Sequence, residues 1–355
     1  MFDPTRPYSF HVELTDKCNA GCPMCPRTDH LNGCRADRSV VRNVELSLPD
    51  FEAHFTDAFC ARVSEVIFGG AYGDPLAAPD LLEITEHLTA RGVRVATATN
   101  GSLRKPEWWA RMGRAMRRTG SRLELHIDGL ADTNPLYRVN TRFEKIMENA
   151  RAYIATGARA EWHFIIFRHN QHQIEEAWRL SREMGFESFV LIDTVRFGPD
   201  GRFRYVMPDG TERHLEAPTV TSADYAMGRD GIRLVDDEEA EEERLAAAAG
   251  GPAVNGIDCK SAARNSPYIS AHGDVSACCW VAGSAEEHGF FLGHGLGRAR
   301  YNLRHRPLEE IMLDEPFASL YAAAWEGDAL PTCRHKCGKN RRNRRNALEA
   351  APRPA

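Results

Sequence analysis

Three cysteines stand within eight residues in the stretch VELTDKCNAGCPMCPR: Cys18, Cys22 and Cys25. The C-x3-C-x2-C spacing then stops. Structural zinc sites pair two C-x2-C-like halves, and no such partner half lies nearby. Three thiolates on one short loop suit three irons of a [4Fe–4S] cube and leave the fourth iron open to a non-protein ligand. A second group gathers toward the other end, at Cys259, Cys278, Cys279, Cys333 and Cys337. Four thiolates there suit a fully ligated iron–sulfur cluster, and they suit zinc equally well. Cys34 and Cys60 stand apart and read as buried core thiols. Two clusters near opposite ends of a chain read as two metal sites, one per domain.

The elements that position the first loop come from the next two hundred residues. SFHVELT is a strand that feeds it. SEVIFGG, VRVATATNG, LELHIDG, AEWHFIIF and FVLIDTV are five more strand-like runs. Helical stretches APDLLEITEHLTARG, PEWWARMGRAMRRTG, RFEKIMENARAYIATG and QHQIEEAWRLSREMG lie between them. Six strand-then-helix units predict an α/β domain with a parallel sheet and right-handed crossovers. An open doubly wound sheet and a partial barrel are both compatible with that order. Both place ligands at the C-terminal strand ends, where the cysteine loop falls.

Residues 196–257 change character. FGPDGRFRYVMPDGTERHLEAP predicts a hairpin with two Asp-Gly turn signals. DDEEAEEER reads as a solvated helix face, and AAAAGGPAVNG as a linker. An amphipathic helix is expected near LEEIMLDEPFASLYAAAW, before the last cysteine pair. The basic ending KNRRNRRN has no interleaved aromatics and reads as a solvated tail rather than a nucleic-acid site. The chain has 355 residues, 43% hydrophobic and 27% charged, with net charge −5. That balance gives no reason to expect nucleic acid as a partner. No signal peptide or membrane-spanning run is visible, so a cytoplasmic protein is expected, in which ten cysteines argue for metal rather than disulfides.

The cysteine loop after the first strand resembles the signature of the radical SAM superfamily, whose core is a partial (β/α)6 barrel. That resemblance implies an open iron that chelates S-adenosylmethionine, with Met24 inside the loop beside it. FGGAYGDPL, holding Gly70, Tyr72, Gly73 and Asp74, resembles the family's Gly-Glu-Pro motif, which receives the methionyl ammonium. Asp74 stands where the family usually has Glu, one methylene longer, and the preceding loop is a residue longer. TATNGS ends the third strand at Asn100. LHIDG puts His126 at a ribose- or carboxylate-facing position and Asp128 beside it. Arg138 in PLYRVN resembles the arginine that pairs with the methionyl carboxylate, and Asn170 in FRHN a polar residue after strand five. These ten residues are the implied cofactor contacts.

The second cysteine group resembles the twitch module, the shorter relative of the SPASM extension. Cys259, thirteen residues, Gly273, four residues and Cys278 precede a distant Cys333 and Cys337. The resemblance implies one auxiliary [4Fe–4S] cluster on Cys259, Cys278, Cys333 and Cys337, in a small β-hairpin/helix domain. Cys279 rivals Cys278, or else is a core thiol or hydrogen-atom donor. Expected boundaries are 1–195 for the core, 196–257 for the hairpin and acidic linker, 258–340 for the twitch domain and 341–355 for the tail.

The chemistry so implied is reductive cleavage of S-adenosylmethionine and hydrogen-atom abstraction from substrate. With the auxiliary cluster as electron acceptor it becomes a two-electron oxidation, and with a thiol donor an epimerisation. The first strand begins near residue 9, which leaves no room for the leader-recognition domain of peptide-modifying relatives. A small hydroxylated or amino-sugar-like substrate is therefore expected, with a ribosomal peptide or protein side chain as the alternative. A flavodoxin or ferredoxin would be the reductant. Asp193 and His163 are candidate proton-handling residues by position alone. A non-catalytic iron–sulfur carrier and a zinc-binding interaction protein are the other classes.

Overall fold

The computed structural model describes residues 2–194, 196–226, 231–234, 257–327 and 330–338. The acidic run, the Ala-Gly-rich linker and the basic tail lie outside the described residues. The chain divides into two compact units: Val12–Glu239, and Met1–His11 together with Ala240–Ala355. No helix among the described residues is long and apolar enough to cross a membrane.

Strand β1 (Tyr8–Val12) leads into the larger unit at Val12. There follow β2 (Val63–Phe68), β3 (Arg94–Thr99), β4 (Arg122–His126), β5 (Arg159–Ile165) and β6 (Ser188–Ile192). From β2 to β6 the strands pair in parallel, each with its sequence neighbour. The crossovers are α1 (Leu48–His54), α2 (Leu81–Ala90), α3 (Pro106–Arg117), α4 (Phe143–Ile154) and α5 (Ile174–Met184). This is the mixed α/β fold with an open parallel sheet that the sequence predicts.

Amphipathic spacing explains each crossover helix. In α3, Pro106 opens the helix, where its missing N–H leaves no bond unmade. Trp109, Met112 and Met116 then recur on one buried face. α5 closes on Gly185 at φ +86°, the left-handed terminus that glycine adopts without strain. The outer faces of the strands are apolar and buried: Val66, Phe68, Val95, Leu123, Leu125, Trp162, Phe164, Phe189 and Leu191.

Among the described residues no long crossover helix follows β6. The antiparallel hairpin that the Asp-Gly signals predict comes there, β7 (Arg202–Val206) with β8 (Glu212–Glu216), turned at Asp209 and Gly210. A four-residue helix, Ala223–Ala226, and a parallel strand β9 (Ile232–Leu234) against β6 complete the unit. Pro199, Gly201, Pro208 and Gly210 break any 3.6-residue period in this stretch, so the chain turns rather than coils.

The smaller unit contains a short hairpin, β10 (Tyr268–Ile269) with β11 (Val275–Ser276), whose turn uses Gly273 at φ +86°. Its longer helices among the described residues are α6 (Ala285–Gly293), α7 (Leu308–Leu313), α8 (Tyr321–Glu326) and α9 (Pro331–Cys337). The single amphipathic helix expected over LEEIMLDEPFASLYAAAW is instead broken. Leu308–Leu313 stops before Asp314, and a π-type turn over Pro316–Leu320 leads into α8. Pro316 has no N–H to continue the first helix, and its ring restricts the residue before it.

Candidate functional site

In the larger unit the cysteine loop is anchored by backbone bonds. Gly21 N donates to Val139 O at 3.0 Å, and Cys25 N to Cys22 O at 3.0 Å. Its bed is Ala20, Cys22, Met24, Cys34, Tyr137, Phe167, Tyr205 and Leu215. Burial drives the thiols away from ionisation. Cys18 is pushed up to about 12, with Asp74 adding to the effect, and Cys22 to about 11 against the pull of Arg138; Cys25 is also raised.

Donors nevertheless converge on the sulfurs. Ala20 N lies 3.3 Å from Cys18 Sγ, Asn100 Nδ2 3.9 Å from it, and Arg138 Nη1 3.8 Å from Cys22 Sγ. Arg27 is 6% exposed, and among the described residues its Nε has no hydrogen-bond partner. Buried thiols with a guanidinium on either side fit thiolates bound to a cationic cluster, and donors to sulfur are a lever on its potential. A cavity of about 950 Å3 flanks the loop, lined by Cys18, Asn19, Arg27, Cys34, Arg35 and Arg38 among others.

Behind the loop, Asp74 is buried at 5% exposure. Leu76 N, the Thr99 hydroxyl, Asn100 N and Asn100 Nδ2 all donate to its carboxylate, at 2.7–3.0 Å. Burial raises its pKa, and these donors hold the rise back. Asp74 thus ties the second strand end to the third, and its donors take up both oxygens. The preceding glycines are needed for close approach. A Cβ on Gly73 would sit 1.6 Å from Thr15 O, and one on Gly70 2.3 Å from Glu13 Oε1.

Glu13 escaped the sequence reading. Its Oε1 accepts Tyr72 N at 2.6 Å and Gly73 N at 3.0 Å, so one buried carboxylate shapes the whole glycine loop. The available signal was a carboxylate between Val12 and Leu14 in an apolar run.

At the ends of β4 and β5, Asp128 accepts Arg138 Nε at 2.6 Å and Ile165 N at 2.6 Å. Burial raises the Asp128 pKa, and Arg138 opposes it. For Arg138, burial works downward, but Asp128 and Cys22 outweigh it and the net displacement is upward. Asn170 is fully buried and its amide is taken up by the turn: Nδ2 donates to Asp128 O and Ile165 O, and Oδ1 accepts Phe167 N. Asp193 Oδ2 accepts the Ser222 hydroxyl at 2.7 Å, and Oδ1 the Ser222 N–H at 3.0 Å, an arrangement that staples a loop. His126 faces His163 with ring centroids 4.9 Å apart, and burial with that neighbour pushes its pKa well down.

The hairpin β7–β8 closes over this region. Val206 N donates to His30 O, Tyr205 Oη to Leu136 O, and Arg196 Nη1 to Met24 O inside the cysteine loop.

In the smaller unit, Cys333 and Cys337 lie four residues apart on α9 and so share one face. Asp258 N donates to Cys337 O at 2.9 Å, which brings Cys259 to the same helix end. Cys278 follows β11. Cys259, Cys278, Cys333 and Cys337 are near enough for one another's charge to raise their thiols or their neighbours'. Burial is the larger cause, and it lifts Cys333 to about 12 despite the Trp325 side chain. Cys279 follows Cys278 directly, and Lys336 sits 3.8 Å over the neighbouring Trp280 ring. Among the described residues, neither cysteine group has three ligand atoms within 4.8 Å of one another. Sulfurs of a tetrahedral zinc site, at Zn–S about 2.3 Å, stand only about 3.8 Å apart.

Residues 12–180 match the family model of the Radical SAM superfamily. Among curated proteins, an AdoMet-dependent heme synthase of Methanosarcina barkeri is 29% identical over 57% of this chain and 55% of its own length. A PqqA peptide cyclase of Gluconobacter oxydans is 24% identical over 63% of this chain and 60% of its own. The chain therefore spans little more than half the length of these relatives. Among solved structures, Streptococcus suis SuiB bound to S-adenosylmethionine superposes with a TM-score of 0.56 at 14% identity, covering 90% of this chain and 68% of that one. That likeness is one of fold. Residues 12–180 are a radical SAM domain, its C-x3-C-x2-C loop following the first strand of an open parallel sheet.

Proposed function

We propose that this protein is a radical SAM oxidoreductase that removes two electrons from a polar, hydroxylated small molecule. The observation that carries the reading is the pairing of the three-cysteine loop in one unit with four mutually close cysteines in the other. When bound, a [4Fe–4S] cluster with S-adenosylmethionine on its open iron supplies the electron that releases a 5′-deoxyadenosyl radical.

The chain's own residues do the rest. Cys18, Cys22 and Cys25 hold the cluster, and Arg138 beside Cys22 offsets thiolate charge. Asp74 and Asn100 fix the strand ends beneath the cofactor. Glu13 orients the backbone of Gly70, Tyr72 and Gly73, so that their carbonyls can meet the methionyl ammonium. Asp128 and Asn170 hold Arg138 and the strand-five turn in place. Met24 packs in the loop bed. Cys259, Cys278, Cys333 and Cys337 would hold an auxiliary cluster, suited to accepting the substrate electron.

The inner barrel face, with Arg122, Glu124, Glu161 and His163, favours a polar substrate. A ribosomal peptide is the second reading, favoured by the likeness to the PqqA peptide cyclase. A flavodoxin or ferredoxin would deliver the electron.

Anaerobic incubation of reconstituted protein with S-adenosylmethionine and dithionite tests the reading, with 5′-deoxyadenosine measured by mass spectrometry. Wild type forms it and Cys18→Ala/Cys22→Ala/Cys25→Ala does not. Iron content is about eight per chain for two clusters. Absence of 5′-deoxyadenosine from cluster-loaded wild type overturns the proposal.

A further inference from the structure

The inner face of the barrel is unusual for parallel strands, which are commonly apolar on both faces. Here β4 and β5 oppose like with like: Glu124 faces Glu161, and His126 faces His163. Directly opposed carboxylates repel. Arg122 answers one, with Nε 2.9 Å from Glu124 Oε1 while its Nη1 reaches Glu65 at 2.8 Å. Arg233 answers the other, 2.8 Å from Glu161 Oε1. Among the described residues, Glu65, Glu124 and Glu161 thus share the guanidiniums of Arg122 and Arg233.

Glu124, His126 and His163 each offer a ligand atom, all within 4.8 Å of one another. Glu161 Oε2 lies 3.2 Å from His163 Nε2, which leaves Nδ1 of that ring for another partner. A carboxylate behind a ligating imidazole is the usual outer support of a metal-bound histidine. Neither ring nitrogen of His126 is hydrogen-bonded among the described residues. Two imidazoles and one carboxylate are the donor set of catalytic zinc and of non-haem iron sites.

We infer that Glu124, His126 and His163 form a mononuclear site for a first-row divalent metal inside the barrel. Glu161 holds His163 in its ligating orientation, and Arg122 leaves the second oxygen of Glu124 for the metal. Three protein ligands leave a coordination position for a substrate oxygen. Asp128 lies two residues beyond His126 on the same face, about 7 Å further along the strand, and it holds the arginine that reaches Cys22. The site therefore lies one step deeper in the barrel than the Asp128–Arg138 pair that reaches the cysteine loop, and a hydroxyl or carboxylate of the substrate would be held there for hydrogen abstraction. His126 is then a metal ligand rather than a cofactor contact.

Zinc is the probe, because iron is already supplied by the clusters. Full-length protein, reconstituted with iron and sulfide, is dialysed anaerobically against chelator-buffered zinc without S-adenosylmethionine, so the result is independent of the 5′-deoxyadenosine assay. Wild type retains about one zinc per chain, with a nitrogen and oxygen shell at about 2.0–2.1 Å in zinc X-ray absorption. His126→Ala, His163→Ala and the milder His126→Asn lose it while iron and sulfide contents stay unchanged. Glu161→Gln weakens zinc affinity about 10- to 100-fold. Glu65→Gln, which removes a carboxylate outside the ligand set, retains it. The inference is overturned by wild type without zinc, by equal zinc in wild type and the histidine variants, or by a sulfur shell at about 2.3 Å.

Discussion

Gly73→Ala tests how the glycine loop is seated. An added Cβ would lie 1.6 Å from Thr15 O, 2.6 Å from Thr15 C and 3.0 Å from Asp16 Cα. Ordinary contact begins at 3.4 Å, so 3.4 − 1.6, about 1.8 Å, must open between two stretches of main chain. Thr15 and Asp16 cannot give way easily. The Thr15 hydroxyl donates to Val44 O at 3.0 Å, and the Asp16 carboxylate accepts Val44 N and Arg42 N. The loop must move instead, which breaks the bonds of Tyr72 N and Gly73 N to Glu13 and of Asp74 N to Lys17 O. At about 1 kcal/mol per bond and 1–3 kcal/mol for overpacking, the loss is roughly 4–6 kcal/mol. A displacement above about 1 Å at a reacting centre also lowers the rate on the order of 100-fold.

The assay pairs denaturant unfolding with anaerobic 5′-deoxyadenosine formation normalised to iron. Gly289→Ala is the control: it lies in α6 with nothing within 4 Å of the new Cβ, and it should be neutral or stabilising by about 0.5–1 kcal/mol. Gly73→Ala with wild-type stability and rate would refute the reasoning.

Three further outcomes are expected. Arg138→Met leaves the buried Asp128 carboxylate without its counter-charge and destabilises by about 3–5 kcal/mol at pH 8; because the Asp128 pKa is already raised, a proton repairs the variant in acid, so its deficit in denaturant unfolding shrinks toward pH 5. Glu287, which accepts Tyr321 Oη at 2.5 Å and the Ser276 hydroxyl at 3.0 Å, is lifted by burial from 4.5 to about 7. Its folded state holds the proton more tightly, so the stability it lends is full below about pH 4.5 and is lost as pH rises through about 7; Glu287→Gln should flatten that slope, worth on the order of 3 kcal/mol, in thermal melts across the range. Cys278→Ala should lower iron from about eight to about four per chain, whereas Cys279→Ala leaves it unchanged; equal iron loss in both would reverse that ligand assignment.

The strand and helix series was legible because its signals are periodic. Apolar residues at helical spacing in PEWWARMGRAMRR and β-branched or aromatic runs such as VIF each report a buried face without reference to the rest of the chain. The thiol groups were legible because cysteine spacing survives in one dimension. Other features were not. Strand β9 is three residues long, too short to carry a period, and exists through its pairing with β6. Glu13 acts on Tyr72 and Gly73, some sixty residues away, and nothing local marks it as the anchor of that loop. The facing of His126 by His163 depends on the register of two strands, which periodicity leaves free by two residues in either direction. Asp193 reads as a mouth-facing carboxylate by position, yet Ser222 accounts for both of its oxygens.

The hairpin that closes over the cysteine loop also bears on the order in which the molecule is made. Met24 O is met by Arg196, 172 residues later in the chain, and His30 O by Val206. Contacts so distant form late, after the local strand-helix units, because a long loop must close first. A nascent chain therefore carries its three thiols on an exposed, uncovered segment through most of synthesis. Delivery of a cluster has its widest access in that interval, before the hairpin arrives.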